Sequence, residues 1–357
     1  MLHQLRLFYN LGTAYGLKYI HNPIRSYHCR DLDYDHFLGL TAGEKTHRAF
    51  ILWKCRKVIL TLPEILEAYQ AGKDPVIEAI RAARGKSLFF TFVFEYCKHL
   101  TASPPNTIQK HVTEQLHSPI DVRSNRPFRF QEKYFSRRRR DGLADPFAPG
   151  KIRIALHIRR GDLVHFELED KILFPFALGK VNSPVYGSFG VQMKEEANRK
   201  GVEYIRTRSA AVSRYVLFLE RIFALYGEDL FDVLVFSDGF PAKPNWNRMK
   251  KLGFPEDLRA RYAWRRDHEY DELKKFKNLR MVIGKTKQDT MTTIHGMISA
   301  DVILHSKSSI NRIAEFFKET PSLRVDISDE SAAGGVIQSD RFRSLTNGFR
   351  SSHPLPG

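Results

Sequence analysis

Lys151-Ile-Arg-Ile-Ala-Leu-His-Ile-Arg-Arg-Gly-Asp-Leu-Val-His-Phe-Glu-Leu-Glu-Asp170 reads as a buried strand that runs into charge. The alternating apolar positions Ile152, Ile154, Leu156 and Ile158 predict a short strand ending on Arg159-Arg160-Gly161-Asp162. Two guanidiniums at the carboxyl end of such a strand are costly unless an anion meets them, and the arginine fork fits a phosphate bidentately. Gly161 permits a sharp turn, and Asp162 is placed to hold one arginine through an ion pair. Ligands of open α/β sheets collect at such strand ends. The stretch therefore reads as a phosphate clamp, with a salt-bridged strand terminus as the competing reading.

Downstream, the chain alternates. Val212, Tyr215, Val216, Phe218, Leu219, Ile222 and Phe223 form one stripe and predict an amphipathic helix over 207–226. Strands are predicted at 231–236, 281–284, 301–305 and 322–325, with helices at 287–299 and 309–318. This alternation means a parallel sheet with helices on both faces. Residues 170–205, punctuated by Gly, Pro and Asn, predict a long loop with a short helix, and 328–357 predict a loose tail.

Upstream, Leu2, Leu5, Phe8, Leu11 and Tyr15 lie at helical spacing and lead into a strand at 17–20 and a turn at His21-Asn22-Pro23. A helix feeding a strand with no strand before it predicts that the first strand of this domain is missing from the chain. Residues 31–36 offer a D-x-D triplet without a preceding apolar strand. As a calcium loop they fail, with His36 where Gly belongs and Ala42 where Glu belongs. A helix start before Phe37 is expected instead, and no metal. Strands at 57–62 and 87–92 and helices at 64–71, 75–84, 107–116 and 127–138 follow. The Arg137–Arg140 run reads as a solvated helix end. Asp145-Pro-Phe-Ala-Pro-Gly150 reads as a linker, giving domains at 1–148 and 149–327 before the tail.

The totals set limits. A chain of 357 residues with 42% hydrophobic content builds two α/β domains. A net charge of +17 calls for acidic partners: phosphorylated small molecules, nucleic acid or an anionic membrane face. Cys29, Cys55 and Cys97, odd in number and widely spaced, read as reduced thiols and not as a disulfide frame or zinc site. With no apolar run of about 18 residues and no signal peptide, a cytoplasmic chain without a transmembrane segment is expected.

Three strand ends in the second half suit a nucleotide. Arg159 and Arg160 supply charge for a pyrophosphate, and Ser237 and Asp238 supply a hydroxyl and a carboxylate for ribose or base. Ser306, Lys307, Ser308 and Ser309 sit where a strand turns into a helix, with more hydroxyls than a cap requires.

Taken together, His157-Ile-Arg159-Arg160-Gly-Asp162, Val-Phe-Ser237-Asp238 and Ala300-Asp301-Val-Ile-Leu-His-Ser-Lys-Ser308-Ser309 resemble the three motifs of the α1,6/α1,2/protein-O-fucosyltransferase superfamily. The resemblance spans about 157–318 and is weaker upstream, where His3-Gln-Leu and Tyr19-Ile-His21-Asn-Pro look like the family's first helix and the strand after it. It implies a GT-B-like α/β fold, two Rossmann-like domains facing a cleft, with the N-terminal one lacking its first strand. It also implies an inverting, metal-independent transfer of fucose from GDP-fucose to a glycan or protein hydroxyl, with no further cofactor.

By the same resemblance Arg159 and Arg160 bind the pyrophosphate, Ser309 touches it from the other side, and His157 shapes the site. Glu167, ten residues after His157, takes the place of the general base, with Glu169 and His165 as rivals. His295 matches a nucleotide-side position, and His3 and His21 fall on the acceptor side. The family's guanine-reading aspartate, eight residues before Asp301, is here Thr293, so the motifs speak more strongly for a sugar nucleotide than for guanine.

Two other classes compete. A nucleic-acid-binding module would account for the charge, but aromatic and basic residues are not interleaved as an RNA platform needs, and no DNA-reading motif appears. An inactive relative that keeps the fold and binds glycans is the third reading.

Overall fold

A computed structural model of the chain describes residues 2–21, 34–42, 44–46, 55–84, 87–93, 104–140, 144–160, 164–167, 171–173, 191–193, 208–240, 246–251, 255–284, 286–306, 313–318 and 322–352. The chain divides into two compact units, Met1–Leu143 and Ala144–Gly357.

In the first unit, α1 (Leu2–Ala14) buries Leu7 and Leu11 against Leu62, Ile65, Leu66, Ile108 and Val112. The strand expected at 17–20 is shorter and later, β1 (Ile20–His21), and the turn expected after it lies outside the described residues. The helix expected before Phe37 is α2 (Tyr34–Phe37). Gly39 follows at φ 67°, where a Cβ would stand 2.5 Å from the Lys133 carbonyl oxygen, so both backbone sign and space require glycine. β1 pairs in parallel with β2 (Lys45–Thr46), and β3 (Arg56–Thr61) pairs in parallel with β4 (Leu88–Val93).

Between β3 and β4 run α3 (Leu62–Gln70) and α4 (Pro75–Ala82). α3 opens on a capping box in which Thr61 and Glu64 satisfy each other's backbone N–H groups. α5 (Pro104–Glu114) and α6 (Phe130–Arg140) complete the unit. One member of the arginine run is not solvated: Arg138 is buried, 4.4 Å from the Phe37 ring centre, and donates to the Phe37 carbonyl at 2.6 Å.

The second unit carries a five-stranded, all-parallel sheet in the order β10-β9-β5-β11-β12. Its strands are β5 (Ile152–His157), β9 (Phe231–Ser237), β10 (Leu279–Ile283), β11 (Val302–His305) and β12 (Leu323–Asp326). Numbered along the chain, that order is 3-2-1-4-5, so β5 is central and the connection reverses between β5 and β11. Alternation decides the faces. Ile152, Ile154, Leu156, Val233, Val235, Val302 and Leu304 pack on one side with Tyr215, Val216, Leu219 and Ile222 of α7 (Val212–Tyr226). α10 (Lys287–Ser299) lies against Phe236, with Gly296 directly over its ring. α8 (Trp246–Lys251) and α9 (Leu258–His268) join β9 to β10.

Three expectations change. The predicted 170–205 loop contains two strands, β7 (Lys171–Leu173) and β8 (Val191–Met193), which join β6 (Phe166–Glu167) in a three-stranded antiparallel sheet; such short strands give too little periodicity to read. The predicted loose tail folds into α11 (Glu330–Ile337) and α12 (Asp340–Ser352). Ile337 and Phe342 enter the core, Leu345 and Phe349 pack against it, and Ser339 Oγ accepts the Phe342 N–H at 3.2 Å. Lastly, 144–148 belong to the second unit. Arg153 pairs with Asp145 at 3.0 Å, Arg280 donates to the Pro146 carbonyl at 2.9 Å, and Ala148 N–H donates to Asp232 at 2.6 Å. Proline and glycine suggested a free linker where side chains pin the backbone.

Candidate functional site

Register brings the chemistry of the second unit to one edge. His157 stands beside Phe236 on one flank and His305 on the other, and His305 stands beside Asp326. The carboxyl ends of β9, β5, β11 and β12 therefore present Ser237-Asp238, His157-Ile158-Arg159, His305-Ser306 and Asp326 in a row. The point where the strand order reverses, between His157 and His305, is where open α/β sheets leave a crevice for a ligand.

The two arginines separate. Arg160 is 0% exposed. Its Nε and Nη2 donate to Glu269 Oε1 at 2.7 and 2.5 Å, Nη1 donates to the Arg159 carbonyl at 2.8 Å and Ser209 Oγ at 3.4 Å, and Nη2 to the Ala210 carbonyl at 3.0 Å. Five N–H groups thus meet protein acceptors, which corrects the expectation that Arg160 clamps an anion. Its counter-ion is a carboxylate on the residue after α9, not Asp162, which lies outside the described residues. Glu269 also takes Arg265 Nε at 2.6 Å. Burial works against the Glu269 carboxylate, but the two guanidiniums overcome it and hold its pKa below the usual range. Arg159, one residue earlier, is partly exposed.

His157 is 6% exposed, and its Nδ1 has no hydrogen-bond partner among the described residues. Burial first, then the Arg159 guanidinium and the neighbouring His305, pull its pKa down to about 3, so the ring is neutral at physiological pH. Its carbonyl accepts the Tyr215 hydroxyl at 2.9 Å, which ties the strand end to α7.

The other strand-end polar groups make bonds within the protein. Ser237 Oγ shares a hydrogen bond with Tyr270 Oη at 2.7 Å and accepts the Gly239 N–H at 3.1 Å. Asp238 Oδ1 accepts the Arg160 N–H at 2.7 Å, and Ser306 Oγ donates to the Arg208 carbonyl at 2.7 Å. These groups brace the turns out of the strands: Ser237 and Ser306 are both buried, and the bonds named here run to protein groups. Asp238 still reaches an opening. With Gly239, Tyr270, Lys274, Ile283 and Gly284 it lines a cleft of about 500 Å³ at the ends of β9 and β10.

His295 is not part of this row. Its Nε2 meets the Ala144 carbonyl at 3.2 Å, on the segment entering the unit. In the first unit His21 is wholly enclosed, its Nε2 2.9 Å from Asp35 Oδ1 and its Nδ1 2.9 Å from Tyr19 Oη, while His3 is exposed beside Arg6 at 3.2 Å. Ser308, Ser309 and Glu169 lie outside the described residues, and Glu167 is described only as backbone in β6. Glu269, Arg265, Tyr215 and Tyr270 hold the site together and were not found in the sequence. Glu269 pairs across 109 residues, and nothing local marks it.

No family model and no curated protein matches the chain. Among solved structures, the crystal structure of POFUT1 in complex with GDP-fucose matches at 10% sequence identity with a TM-score of 0.36, over 90% of this chain and 92% of that one.

Proposed function

We propose that this chain is a glycosyltransferase that uses a sugar nucleotide, with GDP-fucose the first candidate donor and a glycan or protein hydroxyl the acceptor. The observation that carries the reading is the strand reversal between β5 and β11, where partly exposed Arg159 and the unpartnered Nδ1 of His157 adjoin His305. The nucleoside occupies the cleft beside Asp238, and its diphosphate reaches Arg159. As the bond from the sugar's anomeric carbon to the diphosphate breaks, Arg159 and the hydroxyls of Ser308 and Ser309 take up the charge on the leaving oxygen. Glu167 accepts the proton of the acceptor hydroxyl, which attacks from the opposite face and inverts the centre. Inversion, the absence of a metal requirement and the roles of Glu167, Ser308 and Ser309 rest on the motif resemblance. Arg160 acts by positioning: through Glu269 and the Asp238–Arg160 backbone bond it fixes the turn that carries Arg159.

Thermal melts with GDP, UDP and dTDP test this. GDP at one hundred times its Kd stabilises by about 2.7 kcal/mol, and the other two less. Arg159→Ala removes the shift while leaving the unliganded melting temperature near that of the parent. No stabilisation by any of the three at millimolar concentration overturns the reading.

A further inference from the structure

A second opening in the same unit has no place in donor binding. It is a cleft of about 640 Å³ lined by His165, Phe166, Ala260, Arg261, Trp264 and Arg265. Trp264 is 66% exposed, a large apolar ring held in water on a helix that has other faces to bury. Phe166 is almost enclosed, with the guanidinium carbons of Arg261 and Arg265 each 5.7 Å from its ring centre. Arg265 is locked by Glu269 at 2.6 Å and by the His165 carbonyl at 2.8 Å, so the wall is rigid. Arg261 is only loosely paired, 3.9 Å from Asp257 with both side chains about half exposed. Among the described residues the lining has two guanidiniums, an imidazole and two aromatic rings, and no carboxylate.

We infer that this cleft holds the acceptor, and that the acceptor is an anionic sugar: a pyranose ring carrying a carboxylate or sulfate. The apolar face of the ring lies on the Trp264 indole, and its anionic group meets the fork of Arg261. This rests on the glycosyltransferase reading, and sequence connects the two sites: Phe166 is followed in β6 by Glu167, the proposed base. Arg265 also shares Glu269 with Arg160, so both sites lean on one buried carboxylate. One exposed ring suits a single sugar better than nucleic acid, which needs successive stacking surfaces.

The test measures binding to the full chain by isothermal titration calorimetry at fixed ionic strength with four probes. These are an oligogalacturonide, a sulfated dextran oligosaccharide, a neutral dextran oligosaccharide of equal length, and single-stranded DNA. One or both anionic sugars bind more tightly than the neutral one, and the tighter identifies carboxylate or sulfate. Trp264→Ala weakens that binding about fivefold to tenfold, Trp264→Phe keeps most of it, and Arg261→Ala erases the preference over the neutral sugar. The GDP-induced melting shift is unchanged in all three variants. Equal binding of neutral and anionic sugars, or indifference to Trp264→Ala, overturns the inference. Tighter binding of DNA that Trp264→Ala abolishes overturns it in favour of a nucleic-acid surface. If the parent chain shows a GDP shift but binds no anionic sugar, only the acceptor assignment falls. If GDP gives no shift, the donor reading falls, and the acceptor assignment with it, whatever the sugars do.

Discussion

Arg160 lies wholly inside the second unit with Glu269 as its counter-ion, so removing that charge strands a guanidinium out of reach of water. Breaking one side of a buried pair costs about 3–5 kcal/mol, far more than the pair contributes against an apolar replacement. Glu269→Gln is therefore expected to lower the unfolding free energy from urea titration by that amount, whereas Arg159→Ala, at a partly exposed position, leaves it nearly unchanged. A second residue-scale prediction concerns acid. His157 stays neutral in the folded chain, with a pKa near 3, against a model-peptide value of 6.5. Between those values the unfolded chain binds a proton that the folded chain refuses. The stability gained by keeping His157 neutral is complete above about pH 6.5 and is lost as pH falls toward 3, at up to about 1.4 kcal/mol per pH unit. His157→Gln flattens this part of the melting-temperature profile; an unchanged slope between pH 6 and 4 would assign the acid sensitivity to other groups.

Helices and strands with strong periodicity were legible from the residues alone: α10 at Lys287–Ser299, β9 at Phe231–Ser237 and all of α7 at Val212–Tyr226, within the predicted 207–226. Each is long enough for its apolar period to show. The hairpin strands β6 to β8 are two or three residues long and offer no period, and in α11 and α12 the abundance of Ser, Gly and Arg outweighed the spacing of Ile337, Phe342, Leu345 and Phe349. Reading the site met a similar limit. The sequence located the strand ends but not the direction in which their polar groups turn, because that depends on partners as remote as Glu269 and Tyr270.

Packing of α10 on the sheet has one testable pinch point. A Cβ added to Gly296 stands 2.2 Å from Phe236 Cζ, so helix or ring must move. Gly296→Ala is expected to cost about 1–3 kcal/mol by overpacking. Combining it with Phe236→Leu recovers part of that loss, a coupling that a double-mutant cycle reads directly; strict additivity would clear the contact.

At the scale of the whole chain, each unit has a core built from its own residues. The large cluster of the second unit runs from Ile152 to Phe342, and that of the first from Leu7 to Val122. Every described group assigned to the nucleotide, from His157 and Arg159 to Asp238 and Tyr270, belongs to the second unit. A fragment of residues 144–357 is therefore expected to unfold in one cooperative transition and to keep the GDP-induced shift. The same fragment begun at 149 loses the Ala148–Asp232 hydrogen bond, the Arg153–Asp145 pair and the Pro146 carbonyl that meets Arg280, leaving buried Asp232 with fewer partners. It should be less stable by about 1–3 kcal/mol. Urea titration of both fragments, with and without GDP, separates the two causes. A difference in midpoint with equal ligand shifts locates the role of 144–148 in folding, whereas loss of the GDP shift from the longer fragment would move the nucleotide contacts to the first unit and reject the site built on β5 and β11.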